Sequence, residues 1–318
     1  MRSKLAITTS NGTSACLTAA RALIPNGAIT LVADSTYYEV ALRLAREAPL
    51  RNWTLMSFDP GNISATMRSI ASLPTAAALA VWLDQPSNWW LEAADMATLA
   101  AAVKNRGGTV IVDISVHPLV PVLAQGADVA IASLSKFPSN GLSLGGVLLT
   151  NREDVANRLI QQRAHDASAL AAEPAFVISQ QFMSFADRFS AVSAKAAKLV
   201  DFAKGLPGVR AVRYPDFIKL GTSHGGGVIV LELDDAGRGE NAEEIIAQNY
   251  HRSDFPLTLA CTFGGAWTTF EHFQARGDAN GEVVGTLVKA LPNNFCRVGI
   301  GCESLATIQD ALALVFPK

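Results

Sequence analysis

Short runs of β-branched and aliphatic residues, each followed by a longer alanine-rich stretch, recur through the first two thirds of the 318-residue chain. Ala28–Ala33, Trp53–Phe58, Ala77–Leu83, Thr109–Asp113, Val129–Ala132 and Gly146–Leu149 read as strands. Between two of them, Ala94–Arg106 has the apolar period of a helix and is stopped by Gly107-Gly108. Strands that alternate with helical stretches predict an α/β fold, in which crossover helices join parallel neighbours. Past residue 185 the pattern changes. The run from Phe185 to Leu206 reads as one long helix closed by Pro207-Gly208. After it come a glycine-led strand at Gly225–Leu233, an acidic helix near Glu240–Ala247, and a final strand and helix within Cys296–Val315. The expectation is a large domain over residues 1–185 with a mostly parallel sheet, and a smaller C-terminal α+β domain over 186–318.

Charge and hydropathy exclude several function classes. The formal net charge is -2, and no run of Lys or Arg forms the basic stripe that nucleic acid or an anionic membrane requires, so neither is expected as a partner. The most apolar stretch, Ala76 to Leu83, is far shorter than the roughly 20 residues that span a bilayer, and Pro74 and Asp84 flank it. The cysteines Cys16, Cys261, Cys296 and Cys302 have no paired metal spacing, and the N-terminus lacks the charged and apolar regions of a secretory signal. They read as reduced thiols in a cytoplasmic protein. His117, His165, His224, His251 and His272 likewise show no metal-ligand spacing, and no metal is expected.

Chemistry collects at the ends of the expected strands, where open parallel sheets bind ligands. Asp113 closes the hydrophobic run Val110-Ile111-Val112, and a carboxylate there is costly unless something cationic meets it. Taken alone, Asp113 is as readily a helix cap. Past the next buried strand stands Ser133-Leu134-Ser135-Lys136. Two hydroxyls at alternate positions suit an anion. A lysine amine desolvated near other positive charge is shifted toward the neutral form that forms an imine. By itself Lys136 would more often be a solvated surface lysine. The segment Ser10-Asn11-Gly12-Thr13-Ser14 precedes an alanine-rich helix, and its small residues and free N–H groups make either an anion site or a plain N-cap.

The order of these features, together with the aromatic segment Asp34-Ser35-Thr36-Tyr37 and the loop Asp84-Gln85-Pro86-Ser87-Asn88, resembles the cysteine/methionine-metabolism branch of fold-type-I pyridoxal-phosphate enzymes. That trans-sulfuration group contains cystathionine γ-synthase, cystathionine β-lyase and methionine γ-lyase. The resemblance runs from Thr8 over nearly the whole chain. It implies that pyridoxal 5′-phosphate is the cofactor, carried on Lys136, with Asp113 against the pyridine nitrogen. Gly12, Thr13, Ser133 and Ser135 would hold the phosphate, and Asn88 would neighbour the phenolic oxygen. Tyr37 would stack on the ring and assist proton movement, although a one-residue slip gives that role to Tyr38. Within Phe295-Cys296-Arg297-Val298-Gly299, Arg297 would bind the substrate α-carboxylate, with Thr262 of Thr262-Phe263-Gly264-Gly265 beside it.

The activity so implied is β/γ-elimination or γ-replacement on a sulfur-containing amino acid, as a carbon–sulfur lyase or a trans-sulfuration transferase. The alternative is a specialised or non-catalytic pyridoxal-phosphate protein of the same fold. The chain starts almost at the phosphate turn, so the arm that sends a tyrosine and an arginine into a neighbouring subunit's phosphate site is expected to be missing. A homodimer or homotetramer is expected. Trp89 and Trp90 are candidates either for the subunit contact or for burial within the chain.

Overall fold

In the computed structural model, which describes residues 3–273 and 285–317, the strands sort into two sheets. The larger contains β1 (Leu5–Thr9), β2 (Ile29–Ala33), β3 (Thr54–Phe58), β4 (Leu79–Asp84), β5 (Thr109–Asp113), β6 (Val129–Ser133) and β7 (Gly146–Thr150). Its order is β1-β7-β6-β5-β4-β2-β3. Helices α1 (Gly12–Leu23), α2 (Tyr38–Arg51), α3 (Ile63–Ser72), α4 (Met96–Asn105) and α5 (Glu153–His165) flank it.

The pairings from β3 through β6 are parallel, as the alternation of strand and helix requires. β7 departs from that pattern. It runs antiparallel to both β6 and β1. Between β6 and β7 the chain forms only a short 3₁₀ turn at Phe137–Ser139, too little to carry it back for a parallel return. The sheet is therefore mostly parallel with an antiparallel edge.

Successive side chains in these strands alternate between two cores. Val81 and Leu83 of β4, Val110 and Val112 of β5, and Ala130 and Ala132 of β6 pack with α3 and α4 residues such as Ile70, Leu99 and Val103. Ala80, Trp82, Ile111, Val129 and Ile131 pack on the other side with Ala15, Cys16 and Ala19 of α1. Being buried on both faces, the strands are apolar throughout rather than alternating.

After α6 (Ala172–Phe182), α7 (Phe185–Ala203) leads into the second sheet. The helix stops at Ala203, short of the expected Leu206, because the chain turns at Gly205, whose N–H bonds back to Phe202 O. The second sheet contains β8 (Val209–Arg213), β9 (Val228–Leu233), β10 (Leu257–Leu259), β11 (Thr268–His272) and β12 (Phe295–Gly299), ordered β10-β11-β12-β9-β8. With it belong α8 (Phe217–Leu220), α9 (Ala236–Asn249) and the last helix α10 (Leu305–Val315). A single core joins α7, β9, β12 and α10 through Phe189, Leu199, Val230, Val298 and Leu312. Trp89, only 8% exposed, joins this core and meets Phe273 edge-on at 5.5 Å. Trp90 meets Phe295 at 5.3 Å, so both indoles are covered within the chain. Among the described residues no helix is long and apolar enough to cross a membrane.

Candidate active site

The two-residue period of the strands determines which polar groups meet at the sheet's C-terminal edge. Continuing the series Ala80-Trp82, Ile111 and Val129-Ile131 by one step brings Asp84, Asp113 and Ser133 out on the α1 side. Asp84 and Asp113 are direct register partners on β4 and β5. Helix α1 begins on the same side. Asn11 caps it, its side chain accepting the Ser14 N–H at 2.8 Å and its carbonyl the Ala15 N–H at 3.1 Å. That leaves the N–H groups of Gly12 and Thr13 without intrahelical partners, at the positive end of the helix. A Cβ on Gly12 would come within 2.9 Å of Ser133 Cβ, so only glycine lets the helix start press against the end of β6.

Asp113 is buried at 8% exposure and held from two sides. Its Oδ1 accepts the Ser115 N–H at 2.8 Å, and its Oδ2 accepts the thiol of Cys16 at 3.6 Å. Burial, with Asp113 and Asp84 nearby, pushes the Cys16 thiol well above its ordinary value, so it remains a donor. Sequence reasoning treated Cys16 only as one of four thiols. Its position one turn after Gly12, on the apolar face of α1, could have indicated that it faces the strand ends.

Lys136 lies just past β6 and is half-buried. Burial, reinforced by the Arg297 charge, lowers its amine to about 8, against the opposing pull of Asp113, Asp84 and Cys16. The ammonium nitrogen stands 3.8 Å from the centroid of the Phe263 ring. The turn Thr262–Gly265 comes this close because Gly264 takes φ +83 and a Cβ there would lie 2.6 Å from Phe137 N and 3.0 Å from Lys136 Cβ. Ser135 is engaged with the loop instead of facing outward. Its hydroxyl accepts the Gly145 N–H at 3.0 Å and donates to Gly145 O at 3.2 Å. Ser133, by contrast, uses its backbone N–H on the Ser115 hydroxyl at 2.8 Å, and among the described residues no hydrogen bond engages its own hydroxyl.

The second sheet supplies the remaining polar groups. Arg297 on β12 is 5% exposed and forms an ion pair with Glu271, its register partner on β11. It also donates to Asn88 Oδ1 at 2.7 Å and to Cys261 O at 3.3 Å, with the guanidinium 4.7 Å from the centroid of the Trp89 ring. Burial pulls this guanidinium below its ordinary value, and Glu271 opposes that pull. The pairing of Glu271 with Arg297 is not legible in the sequence, because the β11 region carries no strand pattern strong enough to read. Thr262 is exposed beside this group, and its carbonyl accepts the Thr269 hydroxyl at 2.8 Å.

Tyr37 precedes α2 at its N-cap and is 40% exposed. Its backbone N–H donates to Asp84 Oδ2 at 2.8 Å, and burial raises its phenol above the usual value, so the phenol keeps its proton. Tyr38, the alternative, is the first residue of α2 and packs against Ala41 and Leu42. A cavity of about 850 Å³ opens beside Tyr37, Tyr38, Asn88, Cys261, Glu271 and Arg297. Lys136, Asp113 and Gly12 lie outside its lining; Tyr37, which lines it, is tied to Asp84 at the end of β4.

The site thus brings together an open helix start, a buried strand-end carboxylate, a lysine amine lowered to about 8 and a buried arginine, groups of the kind that recognise small anionic ligands. The model of the Cys/Met metabolism PLP-dependent enzyme family matches residues 1–315, and the chain belongs to that family. O-succinylhomoserine sulfhydrylase of Mycobacterium tuberculosis is 28% identical over 242 residues, covering 72% of this chain and 58% of that protein. Cystathionine beta-lyase MetC of Staphylococcus haemolyticus is 28% identical over 198 residues, 60% of this chain and 49% of that one. The chain thus spans about half the length of these relatives. In fold it is similar to metB from Corynebacterium glutamicum, with a TM-score of 0.86 at 18% identity over 99% of this chain and 81% of that one.

The residues fit pyridoxal phosphate on geometry of their own. Only a glycine is tolerated where α1 meets Ser133, two helix N–H groups are free of intrahelical partners, and the buried strand-end carboxylate of Asp113 is near enough to act on the Lys136 charge. The Ser135 hydroxyl, expected at the phosphate, is instead bonded to Gly145 in this structure.

Proposed function

We propose that this protein uses pyridoxal phosphate to eliminate or replace a β- or γ-substituent of a sulfur-containing amino acid. The observation that carries the reading is Lys136. Its amine is lowered to about 8 beside Arg297 and Phe263, and it lies on the same sheet edge as Asp113 and the start of α1. When bound, the cofactor supplies an electron sink that makes the substrate α-hydrogen acidic.

The chain's own residues do the rest. The N–H groups of Gly12 and Thr13 bind the phosphate with the Ser133 hydroxyl, and Ser135 braces the loop that presents Lys136. Asp113 would meet the ring nitrogen and keep a proton there, and Asn88 would neighbour the phenolic oxygen. Lys136 Nζ takes and returns the proton at the substrate α-carbon, and an amine lowered to about 8 has a substantial neutral fraction near neutrality. Tyr37 would cover the ring, and its protonated phenol would deliver a proton to the departing substituent. Arg297 binds the α-carboxylate beside Thr262, in competition with Glu271 for the same guanidinium.

The same reading includes a cytoplasmic homodimer or homotetramer, in keeping with four free cysteines. It also includes a cofactor-binding unit over residues 1–185 and a smaller unit over 186–318, supported by the assignment of β1–β7 to one sheet and β8–β12 to the other. The test is product analysis. Protein supplied with pyridoxal phosphate is incubated with cystathionine, or with an activated homoserine ester plus a thiol. Release of a keto acid and ammonia, or formation of a thioether, supports the reading, and Arg297→Ala should raise KM at least tenfold. Binding of the cofactor with no turnover of any of these substrates would favour the non-catalytic alternative.

A further inference from the structure

Asp84 is the strand-end carboxyl to which the mechanism assigns no task. It is 6% exposed, next to Asp113 in register, and every other residue of β4 is apolar. Its Oδ2 accepts the Tyr37 N–H, while its Oδ1 is buried without a hydrogen-bond partner among the described residues. A half-satisfied carboxyl in a core costs stability, and the packing of β4 does not require an acid at that point. What the carboxyl does is fix one amide. Helix α2 has no side-chain cap at its start, and the bond to Asp84 ties the residue preceding the helix to the sheet edge.

We propose that Asp84 is a positioning residue: by accepting the Tyr37 N–H it fixes the turn that aims the Tyr37 ring into the cleft, and so determines how tightly the cleft holds pyridoxal phosphate. This rests on the functional reading above. Three titratable groups face Asp84: Asp113 on β5, Lys136 past β6 and Cys16 on α1. Burial, then the charge of Asp113, pushes the Asp84 carboxyl well above the usual range, with Lys136 opposing. A neutral carboxyl still accepts the Tyr37 N–H and adds no second charge beside Asp113. Asparagine has the shape and acceptor of that neutral acid, so it should replace Asp84; alanine should not.

The test compares wild type, Asp84→Asn and Asp84→Ala, with Asp84→Ser in reserve should the alanine variant not fold. In the cofactor-free protein, hydrogen exchange at the Tyr37 amide should accelerate at least tenfold in Asp84→Ala and stay within threefold in Asp84→Asn. Titration with pyridoxal phosphate should show about tenfold weaker binding for Asp84→Ala and less than threefold change for Asp84→Asn. In a Tyr37→Ala background the Asp84→Ala step should add less than threefold, because the ring through which it acts is gone. Unchanged exchange and affinity in Asp84→Ala, an asparagine variant as impaired as alanine, or an undiminished tenfold loss without Tyr37 would each overturn the proposal. If the wild type bound no pyridoxal phosphate, the functional reading would fall, and with it the consequence for affinity. The exchange result would still decide whether Asp84 holds the turn.

Discussion

The amine of Lys136 is poised by groups of opposite sign. Burial and Arg297 destabilise its charged form, and Asp113, Asp84 and Cys16 partly restore it, with a balance near 8. The neutral amine is the reactive one and predominates above that value. The rate of pyridoxal-phosphate uptake by cofactor-free protein should therefore rise with pH and level off just above 8. Stopped-flow absorbance across pH 6 to 11 measures this. A rate still climbing past pH 10, as for a solvated lysine with its ordinary value of about 10.4, would contradict the buried environment. Lys136 and Asp113 became candidates through their places past apolar strands together with the family resemblance, since neither position alone separates them from a surface lysine or a helix cap. Asp84 carries the same signal one strand earlier, but the expected strand ended at Leu83 and left it outside. Glu271 had no comparable signal, since its partner Arg297 is 26 residues away and the two meet only through strand pairing.

At the level of elements, the site depends on where strands and turns stop. The core strands of the large sheet match their expected spans to within two residues at each end, because runs buried on both faces are unmistakable in sequence. The edge was harder. β1 and β7 pair antiparallel, and the short connection around Phe137–Ser139 that decides this carries no long-range pattern. The Thr262–Gly265 turn shows what such local geometry controls. Gly264 at φ +83 lets the Phe263 ring reach Lys136. Replacing Gly264 with alanine adds left-handed strain of about 1–2 kcal/mol and a clash with Phe137 N. Gly264→Ala should lower the melting temperature by several degrees and weaken pyridoxal-phosphate binding more than tenfold, as read by thermal denaturation and by absorbance titration. An alanine variant with both properties intact would show that the turn does not set the approach to the lysine.

Over the whole molecule, the candidate site draws on both sheets. The helix start, the two carboxyls and Lys136 belong to the larger sheet, whereas Arg297 and Glu271 come from the smaller one. Asn88 joins the two, since its loop leaves β4 and its side chain accepts from Arg297. Trp89 and Trp90 on the same loop pack into the core of the smaller sheet, which fixes the loop across the junction. The proposed function requires that pyridoxal phosphate be carried on Lys136 and on no other lysine. Borohydride reduction of the protein in the presence of pyridoxal phosphate, followed by peptide mapping, tests it directly. A single pyridoxyl label is expected on Lys136, absent from a folded Lys136→Ala variant. Label on any other lysine, or undiminished labelling after that substitution, would contradict it.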